Sequence, residues 1–154
     1  MSAFVVNRQS DVRVDLANAL SVARRVHSLL KLGRKDFSVC FVSDREIRGL
    51  NSRFRQKPVA TDVLSFPWKA AKGSDEQFTG GGFEKFLGDV IISPRTARRN
   101  ARGEGHSTRT EISWLILHGV LHLLGYNHET DNGEMTALEL SLRERLHPSH
   151  RNRY

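Results

Sequence analysis

One cysteine in 154 residues, Cys40, has no partner for an internal disulfide, so the fold cannot rest on cross-links. Its setting, Phe37-Ser38-Val39-Cys40-Phe41-Val42, reads as a strand in which the thiol is a small core group. Prolines number four, too few to mark linkers, and no repeat or low-complexity tract divides the chain, which predicts one domain over residues 1–154. No stretch approaches the roughly 18 uninterrupted apolar residues of a membrane span. The first twenty positions already hold Arg8, Asp11, Arg13 and Asp15, which argues against a cleaved signal peptide. A soluble, cytoplasmic protein with no membrane partner is expected.

Acidic residues are in deficit: 17 Asp and Glu stand against 24 Lys and Arg, a net charge of +7. Eighteen of those cations are arginine, whose planar fork suits bidentate phosphate contacts, so a polyanionic partner is expected. Composition is otherwise that of a globular chain, with 38% hydrophobic and 27% charged residues, which excludes fibrous and wholly disordered readings.

Phe4-Val5-Val6 reads as a short strand. Leu16, Ala19, Leu20, Ala23, Val26, Leu29 and Leu30 recur at helical spacing, predicting an amphipathic helix over about residues 12–32. A strand follows at about 37–42, and Ser43 with Glu46 forms a capping box for a helix to about Arg53. Residues 61–67 and 86–92 read as neighbouring strands, with Gly80-Gly81-Gly82 in a loop between them. Ser93-Pro94 starts a helix. Thr108 with Glu111 suggests a second capping box, opening a helix that Gly125 ends, and a last helix is expected from about Asp131 to Leu146. The sum is an α+β fold: a four-stranded, mixed sheet packed with about five helices.

The chemistry lies in His118-Gly119-Val120-Leu121-His122-Leu123-Leu124-Gly125-Tyr126-Asn127-His128. His118 and His122 stand one helical turn apart on one face, and the turn at Gly125 can bring back His128 as a third nitrogen. Three neutral imidazoles suit Zn²⁺, one per chain, and leave a fourth position open, as in a catalytic site. The spacing equals that of metzincin proteases, a zincin-like arrangement, but Gly119 stands where those enzymes need a glutamate base, which disfavours a metallopeptidase. Met135, seven residues past His128, reads as core.

This motif, together with Leu50-Asn51-Ser52-Arg53-Phe54-Arg55, Thr61-Asp62-Val63-Leu64-Ser65-Phe66-Pro67 and Leu87-Gly88-Asp89-Val90, resembles the YbeY endoribonuclease family over about residues 3–146. Asn127 departs from the family's usual aspartate. The resemblance implies a cytoplasmic, zinc-dependent endoribonuclease for single-stranded RNA. Its work would be ribosomal RNA processing, notably at the 3′ end of 16S rRNA, and ribosome quality control. The implied partners are ribosomal RNA, the small ribosomal subunit with its platform protein S11, and the GTPase Era. Arg55 matches the family's functional arginine. A rival reading is a non-catalytic RNA-binding ribosome assembly factor.

Around this core the residues add candidates. Glu111, seven residues before His118, could orient a ligand or take a proton, besides capping its helix. Asp62 and Asp89 at strand edges read as carboxylates binding backbone amides or facing solvent. Arg95, Arg98, Arg99 and Arg102 form a stripe on one helix face, a solvated face or an RNA-binding track.

Overall fold

The computed structural model describes residues 3–68 and 85–146. Four strands, β1 (Ala3–Asn7), β2 (Asp36–Phe41), β3 (Val63–Pro67) and β4 (Phe86–Ile92), form one sheet in the order β1-β2-β4-β3. β1 and β4 run parallel to β2, whereas β3 is antiparallel to β4, so the sheet is mixed as expected. Five helices accompany it: α1 (Leu16–Leu29), α2 (Asp44–Arg55), α3 (Pro94–Glu104), α4 (Thr108–Leu123) and α5 (Glu134–Leu146). The triglycine at Gly80-Gly81-Gly82 lies outside the described residues.

Alternation along the strands divides the core between two faces. Phe37, Val39 and Phe41 of β2 and Val90 and Ile92 of β4 join the buried residues of α1, α4 and α5, Met135 among them. On the other face Val42, Ile47 and Leu64 pack with the half-buried Cys40 under α2. Burial, more than any neighbouring charge, raises the thiol's pKa, so Cys40 serves as an apolar group.

Local signals set the helix starts. Ser43 Oγ accepts the Glu46 N–H at 3.1 Å, and Ser93 Oγ accepts the Thr96 N–H at 3.2 Å. Three expectations shift. Gln9 binds both main-chain groups of Val12, holding that turn out of helix, so α1 begins only after Asp15, whose carboxylate accepts the Asn18 N–H. The cap of α4 is Ser107, not Thr108: its Oγ accepts the Thr110 N–H, and the Glu111 carboxylate is engaged elsewhere. Asp131 binds the N–H groups of Gly133 and Met135, delaying α5 to Glu134.

Asp44, the first residue of α2, accepts hydrogen bonds from Ser93 and from Thr96 at the start of α3. Burial alone would raise its pKa, but those bonds and the charges of Arg99 and Arg95 outweigh it and hold the carboxyl below its ordinary value. Asp89 is likewise bonded across the sheet, by Ser38.

Helix α4 is buried on most sides, and it crosses β4 at closest approach through Gly119. A Cβ there would lie 2.4 Å from Val90 Cγ1 and 3.2 Å from Ser65 Oγ, which donates to the Gly119 carbonyl at 2.9 Å. Gly119→Ala is therefore expected to destabilise by about 1–3 kcal/mol, the usual cost of overpacking, despite alanine's better helix propensity. Urea unfolding of wild type, Gly119→Ala, Val90→Ala and the double variant should show a smaller cost of Gly119→Ala where Val90 has been trimmed. Strictly additive costs would place the strain elsewhere.

Candidate metal centre and cleft

The last two turns of α4 deliver the first two histidines. His118 Nε2 and His122 Nε2 lie 3.1 Å apart, pointing at a common space. Beyond Leu124 the chain closes with a Schellman turn: the Tyr126 N–H reaches the Leu121 carbonyl at 3.1 Å and the Gly125 N–H the His122 carbonyl at 3.0 Å. Gly125 occupies the left-handed region there, with φ +99°. The loop that follows is shaped by Asn127, whose Oδ1 accepts the Glu129 N–H at 3.0 Å and whose carbonyl accepts from Asp131. Only an acceptor oxygen is needed for that turn, so Asn127 serves where an aspartate would also do. His128 is thereby carried back, and one ligand atom from each of His118, His122 and His128 lies within 4.8 Å of the others.

Protonation state fits a cation site. Burial, then the neighbouring His118 and His128, push the His122 pKa below its ordinary value, so this imidazole is held neutral with a lone pair free to ligate. His118 is oriented from behind, its Nδ1 lying 2.5 Å from Glu139 Oε1 on α5. With Nδ1 donating to the carboxylate, Nε2 faces the other histidines as an acceptor. Burial favours the neutral acid at Glu139, yet the bond from His118 and the charge of Arg143 prevail and keep it below its ordinary value. Arg143 Nη2 donates to Glu139 Oε2 at 2.9 Å, and the guanidinium stacks 4.3 Å above the Trp114 ring. Spacing alone could not find Glu139, because its partner lies 21 residues away on another helix.

The histidines open into a cleft of about 620 Å³, lined also by Asn51, Phe54, Arg55, Lys57 and the whole of β3. Arg55 ends α2, and the buried Asn51 fixes the following loop by donating from Nδ2 to the Val59 carbonyl at 3.0 Å. Phe54 is 56% exposed and meets Phe66 edge-on at 5.3 Å between centroids. Asp62 lines the cleft too, its Oδ2 accepting from Asn100 at 3.3 Å. The structure thus brings Arg55 to the histidines. Glu111 stays outside that cleft: its buried carboxylate pairs with His106 Nε2 at 2.6 Å and lines an adjoining pocket of about 250 Å³ that also takes in Asp62, His118 and Glu139. Arg95, Arg98, Arg99 and Arg102 lie along α3 and none lines the cleft, Arg99 standing 3.8 Å from Asp44.

Removing the support behind His118 should loosen the site without emptying it. Glu139→Gln is expected to weaken the affinity of the three-histidine site for added divalent metal about 10–100-fold, read by competition with a chromophoric chelator on purified protein. Unchanged affinity would show that His118 needs no carboxylate.

The family model described as Endoribonuclease YbeY matches residues 4–147. Endoribonuclease YbeY of Nautilia profundicola is 43% identical over 136 residues, 88% of each chain. That of Syntrophus aciditrophicus is 38% identical over 140 residues, 89% of this chain and 82% of the relative. That of Aquifex aeolicus is 49% identical over a shorter span, 70% of this chain and 65% of the relative. In fold, the chain is similar to the solution structure of TM1509 from Thermotoga maritima, with a TM-score of 0.64 at 24% identity, covering 97% of this chain and 92% of that one. With similarity that runs from the first strand to the end of the last helix, the chain belongs to the YbeY endoribonuclease family.

Proposed function

We propose that this enzyme cuts single-stranded RNA hydrolytically with one Zn²⁺ held by His118, His122 and His128, and that its substrate is ribosomal RNA at the 3′ end of 16S rRNA. The observation that carries the proposal is the convergence of three imidazoles on a cleft that also holds Arg55 and Lys57. The relatives' name, endoribonuclease, supports the reaction class. Gly119 counts against a peptidase, since the packing against Val90 leaves no room for a glutamate base at that position.

His118, His122 and His128 would hold a zinc ion through neutral nitrogens, and such an ion would supply Lewis-acid chemistry, activating water and offsetting charge on phosphate oxygens. The chain's own groups do the rest. Glu139 fixes the His118 ring, and the neutral His122 leaves its nitrogen available. Arg55 neutralises the charge that gathers on the nonbridging oxygens as the phosphorus becomes five-coordinate. The exposed ring of Phe54 offers a platform for an unpaired base. Glu111 acts, in this reading, through the His106 pair rather than at the reacting atoms. Arg95, Arg98, Arg99 and Arg102 hold more distant phosphates. The family resemblance further supports a cytoplasmic location, a part in ribosome quality control, and partnership with the small ribosomal subunit through protein S11 and with the GTPase Era. Among the described residues no helix is long and apolar enough to cross a membrane.

Metal analysis should find one zinc per chain, and a chelator should stop cleavage of a single-stranded RNA. His122→Ala should lose both zinc and cleavage while still binding RNA, and Arg55→Glu should lose cleavage while zinc content and melting temperature stay near wild type. Cleavage that survives in zinc-free His122→Ala protein would overturn the metal mechanism. RNA binding with no cleavage in any metal-loaded sample would favour the assembly factor. For the arginine stripe, changing Arg98 and Arg102 together to Ser should flatten the dependence of log affinity on log salt by about one to two units, at a slope of about −0.7 per phosphate contact. An unchanged slope would make the stripe a solvated face.

A further inference from the structure

β3 is one of the two outer strands of the sheet, and one of its two edges has no strand beside it among the described residues. Which main-chain groups face that edge follows from the ladder. The Asp62 carbonyl accepts from the Ser93 N–H at 2.9 Å, and the Trp68 N–H donates to the Leu87 carbonyl at 2.8 Å. With the register Val63↔Ile92 through Pro67↔Gly88, the hydrogen-bonded positions are therefore 62, 64, 66 and 68. In an antiparallel pair such a residue sends both its N–H and its C=O to the same partner strand, and the alternate residues send theirs outward. Val63, Ser65 and Pro67 thus present their main-chain groups to the open edge. Pro67 agrees with this register, since proline is tolerated where the missing N–H would face away from the ladder. All three residues line the cleft with His118 and His122.

We propose that this edge reads the sugar-phosphate backbone of RNA: the Val63 and Ser65 N–H groups donate to phosphate oxygens, and the Val63, Ser65 and Pro67 carbonyls accept from ribose 2′-hydroxyls. The inference deepens, and rests on, the endoribonuclease reading of the same cleft. Its chemistry is complementary in kind. An open strand edge alternates donors and acceptors, with like-facing residues about 6.8 Å apart. An RNA strand alternates anionic acceptors with hydroxyl donors, whereas DNA lacks the hydroxyls that carbonyls could accept from. An extended peptide would satisfy the same edge geometrically. Arg55 and Lys57 beside it favour the polyanion.

Binding is measured by fluorescence anisotropy on the full chain, with a chelator present so that nothing is cut. The probes are a single-stranded RNA, DNA of the same sequence, its 2′-fluoro analogue, and RNAs carrying one deoxyribose at each position in turn. RNA should bind about tenfold or more tightly than DNA and the 2′-fluoro strand, with equal salt slopes. Single deoxy substitutions should cost about 2–10-fold each, confined to two or three neighbouring nucleotides. Val63→Pro removes an outward N–H and no ladder bond, so it should weaken RNA and DNA by the same factor of about ten while zinc content holds. Should that variant unfold, the oligonucleotide series on the unaltered protein still decides. Equal affinity for all three strands, with RNA cleavage intact in the metal-loaded enzyme, would overturn the edge proposal and leave the nuclease standing. Failure to bind or cut RNA at all would take down both. Preference for a neutral extended peptide over RNA would overturn the choice of ligand.

Discussion

Helix α4 can set two histidines beside the edge of the sheet because Gly119 lets its backbone approach Val90 with no side chain between them. Ser65 completes the contact by bonding to the Gly119 carbonyl, which ties the helix to β3 as well as to β4. The depth at which α4 sits follows from this contact, and so does the position of the two histidines that its last two turns carry. The residue that permits the approach also occupies the place where a zinc protease has its general base. Packing and reaction class are therefore coupled at one position: a helix seated this closely on its sheet cannot carry the protease's glutamate there.

A second dependence runs through charge. The ion pair of Glu139 with Arg143 is largely removed from water, and an isolated carboxylate there would be costly. The cost is met by shared use, since Glu139 accepts from His118 with one oxygen and from Arg143 with the other, and Arg143 rests on Trp114. The Trp114 ring also meets His106, at 4.7 Å between centroids with the rings steeply inclined, and His106 pairs with Glu111. The two buried glutamates thus belong to one polar layer that joins α4, α5 and the end of α3 behind the histidines. Such a layer holds a ligand by geometry while leaving the reacting side of the cleft to cations.

Much of this was legible in the residues, and what was not has a physical cause. The His118, His122, Gly125 and His128 spacing is local, so helix periodicity and one left-handed turn suffice to bring the rings together. Ser43 with Glu46 and Ser93-Pro94 are short-range caps and lie where they were expected. At Ser107 two adjacent hydroxyl residues compete for the cap, and sequence cannot choose between them. The true start of α1 depends on Gln9, a side chain that imitates a backbone turn. Glu139 was invisible because its meaning arises only when α5 folds back against α4. The insertion of β4 between β2 and β3 is likewise a long-range choice, fixed by which faces must be buried.

The register of Pro67 has a further consequence for the protein in the crowded cell. A strand edge with free donors and acceptors is a template on which any extended segment can add itself, and nascent or damaged chains supply such segments in quantity. Pro67 breaks the row of donors at one end, and its ring stands in the way of a neighbour that tries to pair along the full strand. At β3 that leaves an edge only two outward N–H groups long, too short a ladder to hold a stray strand firmly or to start a growing stack of sheets. An enzyme that must keep this groove uncovered while waiting for substrate thus has, at β3, one residue in its own wall that blunts strand addition.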